Sequence, residues 1–321
     1  MSIPAPTERR PSRVRLAVAF VALYVIWGST YLGIRIAVET LPPFLMAGSR
    51  FLLAGTTLYV WARLRSREKP LPRHWASAAV VGGLLLFGGN GAVSWSERVV
   101  PSGLASLIVA ALPIWMVAIE ALRPGGVRPT PRTVVGLLLG LVGLGILVGP
   151  GLSGAAAAPL LPVAVLTLGS LCWAVGSLYS RSAKLPRTQL LGIGMEMLAG
   201  GALLVVAGLL VGEWRVLDVR HVSVRSVAAV FYLALFGSIV AYTAYIWLLQ
   251  VTTPASVSTY AYVNPVVAVF LGWAFAGEPV TARMLVAAAI IVGSVVIVTT
   301  RGRAERPAGE PTALEDSLAP G

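Results

Sequence analysis

Two ionisable residues, Arg50 and Glu196, sit inside strongly apolar stretches, and tyrosines, tryptophans and asparagines recur at helical spacing in the stretches around them. An ionisable side chain in such surroundings is costly, and it normally faces a protein interior or a watery cavity with a partner at hand. Arg50 and Glu196 stand 146 residues apart. Counted along their helices, their levels differ by only about 6 to 8 Å, within reach of two long side chains. The spacing favours a structural ion pair, with a proton-coupling site as the second reading.

Tyr260 and Asn264 are four apart, Asn90 and Ser94 repeat that interval, and Tyr242 and Tyr245 are three apart. These intervals put each pair on one helix face. Together they can line a cavity that binds a small solute by hydrogen bonds. For Asn264 the alternative is an interhelical hydrogen bond worth about 0.6 to 2 kcal/mol. Trp27 and Trp173 fall roughly 16 and 20 Å from the starts of their apolar stretches. At that depth an indole N–H needs a protein or ligand partner, so they are read either as cavity lining or as packing. Pro113 and Pro265 lie near the middle of apolar stretches, where proline frees a carbonyl upstream and breaks or hinges the helix. Matched interruptions of this kind point to a binding site at the membrane midplane, with a packing kink as the alternative.

Other chemistries find no support. No GxxxxGK[ST] string for nucleotide hydrolysis occurs. His74 and His221 lie at the rims of apolar stretches, Cys172 is the single cysteine, and no His/Cys/Asp cluster suggests a metal site. The reading is therefore no enzyme, no cofactor and no metal.

The elements that must position these residues are membrane helices. Hydrophobic residues make up 57% of the 321 and charged residues 12%, about half the charged share of a soluble domain. Ten stretches of roughly 16 to 23 residues are each long enough to cross a hydrocarbon layer about 30 Å thick. They run near 16–34, 44–61, 75–95, 104–121, 133–149, 160–179, 190–211, 227–249, 255–276 and 284–299. The expected fold is an all-α integral membrane protein of ten transmembrane helices, with a first five-span unit over 14–150 and a second over 151–300. Residues 1–13 form a short cytoplasmic segment, and the Pro-, Gly- and Glu-rich residues 301–321 a disordered cytoplasmic tail. The first stretch lacks a small-residue cleavage site and is read as a retained helix.

The net charge of +12 is explained by orientation, not by nucleic acid. With the amino terminus inside, cytoplasmic segments hold 18 Lys and Arg against 6 outside, which places both termini in the cytoplasm. Trp27 and Trp173, Arg50 and Glu196, and Gly55 and Gly201 all share the offset of 146. A duplicated unit with five spans must insert upside down relative to its twin, the inverted-repeat architecture of many secondary transporters.

The strings "WGSTYLGIRIAVETLPPFLMAGSRF" at 27–51, "GNGAVSWSERVVPSGLASLIVAALPIWMV" at 89–117 and "GSIVAYTAYIWLLQVTTPASVSTYAYVNPVVAVFLGWAFAGEPVT" at 237–281 carry a resemblance to ten-span members of the drug/metabolite transporter superfamily, EamA type. Asn264-Pro265 and Gly277-Glu278-Pro279 are its most specific pairs. The resemblance implies an inner-membrane permease, usually an exporter of amino acids, related metabolites or drugs. It would work by alternating access around a cavity where the third, fourth, eighth and ninth spans meet the first and sixth. Its partners would be a small organic solute, the lipid bilayer and, in coupled members, a proton. The acidic residue that four-span multidrug relatives carry in their first span has no match here before Glu39. The alternative is an integral-membrane enzyme or receptor without transport. Oligomeric state and substrate stay open.

Overall fold

The computed structural model of the chain describes residues 12–122, 130–148, 159–252, 257 and 260–299. The amino-terminal segment up to 11, the junction at 149–158 between the expected units and the tail from 300 onward lie outside the described residues. Among the described residues every element is helical. In chain order they are α1 (Arg13–Ala37), α2 (Pro43–Arg65), α3 (Pro72–Gly82), α4 (Gly91–Ser96), α5 (Ser102–Val109), α6 (Leu112–Leu122) and α7 (Pro131–Val148). Then come α8 (Leu160–Ser180), α9 (Gln189–Leu210), α10 (Glu213–Val216), α11 (Val224–Tyr232), α12 (Thr243–Val251), α13 (Tyr260–Ala276) and α14 (Ala282–Thr299).

Six helical stretches among the described residues have the length and apolarity to cross a membrane: Arg13–Ala37, Pro72–Ser96, Ser102–Ile119, Leu160–Ser180, Gln189–Leu210 and Val224–Val251. α2 has 23 residues but carries Arg50, Arg63 and Arg65. The helices are apolar on their outer faces too. α1 buries Ala19, Leu23 and Trp27 while exposing a stripe of Val14, Val18, Val21 and Val25, a pattern that suits lipid on one side and protein on the other. Rim tryptophans carry arginines on their rings, Arg65 on Trp61 at 4.3 Å, Arg98 on Trp95 at 4.9 Å and Arg215 on Trp214 at 5.1 Å, as amphipathic anchors at a membrane interface do.

Two of the long stretches change their winding in the middle. Gly83–Asn90, between α3 and α4, and Leu233–Tyr242, between α11 and α12, are π-helical. Such wide turns are uncommon and concentrate at functional sites. The sequence spacing of three and four residues assumed ordinary α-helix here and missed both segments. The stretch holding Pro113 is interrupted, since α5 ends at Val109 and α6 begins at Leu112, so the proline enters the first turn of a new helix, where its missing N–H costs nothing. Pro265 lies inside α13, which runs unbroken from Tyr260 to Ala276.

Among the described residues the most extensive contact between helices is that of α2 and α9. Glycines make it possible. A methyl group built on Gly48 would sit 3.0 Å from the Gly201 carbonyl oxygen, and one on Gly201 would sit 3.1 Å from that of Gly48. Gly55 and Gly194 repeat the arrangement one turn and more away, 3.1 Å from a Gly55 methyl to the Gly194 oxygen. Gly48 near Gly201 and Gly55 near Gly194 require the two helices to run antiparallel. Small residues that let backbones touch are the usual basis of helix association in lipid.

Carboxylates from distant segments seal the helix starts. α2 begins after Pro42, which offers no capping side chain, and Glu213 accepts from the amides of Phe44 and Leu45 at 3.1 and 2.9 Å. α9 likewise lacks a local cap bond, and Glu68 accepts from the amides of Arg187 and Thr188, both at 2.8 Å. Glu68 follows α2 and Glu213 follows α9, so each helix start is closed by the chain leaving the other helix. The Thr188 amide, and after it the Arg187 amide, holds the Glu68 carboxyl below its ordinary range against the opposing effect of burial. Glu278 does the same for α5, accepting from Ser102 N, Ser102 Oγ and Gly103 N at 2.8, 2.9 and 3.2 Å. Each satisfies orphan amides and opposes the positive end of a helix dipole.

Three outcomes follow for stability. Gly55→Ala, whose methyl would meet Met197 Cβ at 2.8 Å and Leu198 N at 2.9 Å, should cost about 1–3 kcal/mol and lower the melting temperature in detergent. Gly293→Ala, which meets nothing within 4 Å, should not lower it, since alanine is the better helix former. Glu213→Ala should cost about 1.5–3 kcal/mol, the scale of hydrogen bonds to a charged group, read by the same melting curves.

Candidate functional site

Four aromatic side chains from four helices form a box. Trp27 of α1 stands edge-on to Trp173 of α8, with ring centres 5.5 Å apart and planes at 84°. It also packs on Tyr260 of α13 at 5.3 Å and 80°, and on Tyr245 of α12 at 4.9 Å. Tyr245 closes the box against Trp173 and Tyr260, each at 5.9 Å. Edge-to-face contacts at these distances are favourable beyond simple burial. Trp27 Nε1 donates to the Gly237 carbonyl at 3.1 Å. Trp173 Nε1 donates to the Tyr245 hydroxyl at 3.2 Å, which is also bonded to Ser177 Oγ at 2.7 Å. The polar edges of these rings are thus occupied within the protein, and the rings are held at set angles.

The box borders a cavity of about 60 Å³. Its wall includes Trp27, Tyr31 and Ile34 from α1, Gly89 and Asn90 from the first π-helical segment, Val93 from α4, and Val109 from the end of α5. Gly169, Ser170 and Trp173 of α8 and Tyr260 and Asn264 of α13 complete it. Glycine is needed at 89 because a methyl there would lie 2.6 Å from the Trp173 ring. In the amide orientation that its neighbours accept, the Asn264 nitrogen donates to the carbonyls of Tyr24 at 3.1 Å and Tyr260 at 3.2 Å.

Of the eight residues expected to bind solute, Trp27, Asn90, Trp173, Tyr260 and Asn264 line this cavity. Tyr245 stands behind them in ring contact. Tyr242 belongs to another pair, donating its hydroxyl to Glu196 Oε2 at 2.9 Å. Ser94 is fully buried with no partner for its hydroxyl and is not part of the wall. The sequence reading passed over Tyr31, Val93, Gly169 and Ser170. Helical spacing was the signal available for them: Tyr31 is four from Trp27, Val93 three from Asn90, and Gly169 and Ser170 four and three from Trp173.

The expected ion pair between Arg50 and Glu196 is not formed. Arg50 is buried and ties the two π-helical segments together, its Nε donating to Ser238 Oγ at 2.9 Å and its Nη2 to Asn90 Oδ1 at 3.4 Å, with the guanidinium 4.3 Å from the Phe51 ring. Nη1 has no partner. Glu196 is equally buried and faces Tyr242, with its second oxygen unpartnered. Similar depth in the two helices did not bring the side chains together, because the antiparallel contact of α2 and α9 turns them toward different neighbours.

Comparison with known proteins places this geometry in context. The EamA-like transporter family matches the chain twice, over residues 15–149 and 160–300. The uncharacterized inner membrane transporter YedA of Escherichia coli K12 is 42% identical over 283 residues, covering 88% of this chain and 89% of YedA. The uncharacterized transporter YvbV of Bacillus subtilis strain 168 is 25% identical over 299 residues, covering 92% and 95% of the two chains. One crystal structure superposes with a TM-score of 0.63 at 21% identity, covering 90% of this chain and 98% of the other, a likeness of fold alone.

The separation of the two buried charges is measurable by double-mutant cycles. Tyr242→Phe combined with Glu196→Gln should show a coupling of about 0.6–1.7 kcal/mol, the range for hydrogen bonds between membrane helices. Arg50→Gln combined with Glu196→Gln should be additive within about 0.5 kcal/mol. A large coupling in the second cycle would restore the ion pair.

Proposed function

Because the chain belongs to the EamA-like transporter family, we propose that it is a secondary transporter that exports amino acids or other small organic metabolites or drugs across the cytoplasmic membrane by alternating access. The aromatic cavity carries this reading. Its rings have their polar edges already satisfied and present faces, with two amides nearby. Such a site suits stacking on an amphiphilic solute and offers no arginine clamp for a sugar phosphate. Its roughly 60 Å³ is well below the ~300–1,000 Å³ of open ligand pockets. Admission of a solute therefore requires the surrounding helices to part, as they would in an alternating-access cycle.

Within this proposal the chain makes ten spans as two inverted five-helix units. The reciprocal features of α2 and α9 support it. Gly48 and Gly194, and Gly55 and Gly201, are each 146 apart, and each glycine of one helix touches the counterpart of the other glycine. Glu68 and Glu213, in the segments leaving the two helices, perform the same capping in opposite directions. The arginine and lysine bias supports cytoplasmic termini, and the inner-membrane location of a relative such as YedA supports the membrane. Proton coupling belongs to the same reading, and no resident cofactor or metal is invoked. Arg50 and Glu196 would serve it as positioning or coupling groups.

Purified protein in proteoliposomes, offered a panel of labelled amino acids and amphiphilic metabolites, should move at least one of them without ATP. Trp27→Ala and Asn264→Ala should each cut that flux about tenfold or more, equivalent to ~1.4 kcal/mol of barrier, while the protein still inserts. Unchanged flux in both variants would remove the cavity from the path. No flux for any compound would favour a membrane receptor or enzyme.

A further inference from the structure

Glu97 lies one residue beyond α4, at its carboxyl end, and is completely buried. Neither of its carboxyl oxygens has a hydrogen-bond partner. Arg35 Nη1 donates to the backbone carbonyl of Glu97 and not to its carboxyl group. The adjacent Arg98 is turned away, its Nε donating to the Trp95 carbonyl at 3.0 Å and its guanidinium 4.9 Å from the Trp95 ring.

Four charged or titratable groups lie close enough to act on Glu97: Tyr31 and Arg35 from α1, Arg50 from α2 and Glu278 from the turn before α14. Glu278 is engaged in capping α5. Tyr31, whose hydroxyl feels the Glu97 charge, also lines the aromatic cavity. A carboxylate with no donor on either oxygen is among the costliest groups to bury, and taking up a proton removes most of that cost. Burial, with the like charge of Glu278, pushes the Glu97 carboxyl well above the ordinary carboxylate range, against the opposing pull of Arg35 and Arg50. Glu196 differs, since Tyr242 donates to one of its oxygens.

We propose that Glu97 is the proton-binding residue of this transporter, carrying its proton while the helix ends around it are closed and releasing it to water admitted when they part. The proposal rests on the transporter reading, and it gives the coupling proton a place that neither Arg50 nor Glu196 was needed to supply. The step is an ordinary acid dissociation, Glu97 carboxylic acid to carboxylate with the proton passing to water.

Two measurements on the purified full-length protein test it without any solute. In infrared difference spectra at pH 7, wild type minus Glu97→Gln should show a protonated-carboxyl C=O band that disappears at alkaline pH. Glu97→Asp should keep a band at shifted frequency. In thermal unfolding, a carboxyl protonated when folded and ionised when unfolded means the folded state binds more protons. Stability then falls as pH rises above the ordinary carboxylate range. Glu97→Gln should flatten that profile and melt above wild type on the alkaline side, whereas Glu97→Asp should keep the slope. A difference spectrum with carboxylate bands only, or parallel melting profiles, would overturn the proposal. Should Glu97→Gln not be recovered folded, the frequency shift between wild type and Glu97→Asp decides. Failure here leaves the transport reading standing, and a silent flux panel leaves these readouts intact.

Discussion

The antiparallel seam of α2 and α9 is the constraint on which the rest of the structure depends. Glycines at 48, 55, 194 and 201 bring the two backbones into contact, and Glu68 and Glu213 close the helix starts that this contact would otherwise leave unsatisfied. The caps come from the chain itself, and an antiparallel pair lets each helix receive its cap from the segment that leaves its partner. Arg50 and Glu196 ride on these two helices, so the seam also decides where the buried charges point.

The π-helical segments extend that arrangement to the cavity. Both supply groups to the polar interior: Asn90 and Ser238 hold Arg50, Gly237 accepts from Trp27, and Tyr242 donates to Glu196. The Ser238 hydroxyl in turn donates to the carbonyl of Leu233, five residues back, at 3.1 Å. A wide turn leaves carbonyls and side chains at angles an α-helix does not offer. One buried guanidinium is joined to both segments. The indole N–H groups of Trp27 and Trp173 are thus engaged while the faces of Trp27, Trp173 and Tyr260 border the cavity.

Much of this was legible in the chain. The apolar stretches, the depth of Trp27 and Trp173 and the i, i+4 pairing of Tyr260 and Asn264 are local properties, and those four residues do meet at one cavity. The residues misread were those whose role depends on helix rotation. Tyr242 and Tyr245, three apart, have different partners, Glu196 for the first and Ser177 with Trp173 for the second. Ser94, four from Asn90, stands off the wall, while Val93, three from Asn90, lines it. Glu97, beside Arg98 at the end of an apolar stretch, reads as a loop residue, yet packing encloses it fully.

By itself the sequence determined the class of the molecule and its two matched halves, since hydropathy and residue spacing are written along the chain and need no partner to be read. It also singled out aromatics and amides, Trp27, Asn90, Trp173, Tyr260 and Asn264, that the structure brings to one cavity. Only the tertiary structure decided that Arg50 turns to Ser238 and Asn90 while Glu196 turns to Tyr242, that three glutamates cap helices more than a hundred residues away, and that Glu97 is sealed from water. Those outcomes depend on how far one helix is rotated and slid against another, which glycine contacts between remote segments set and no local pattern encodes.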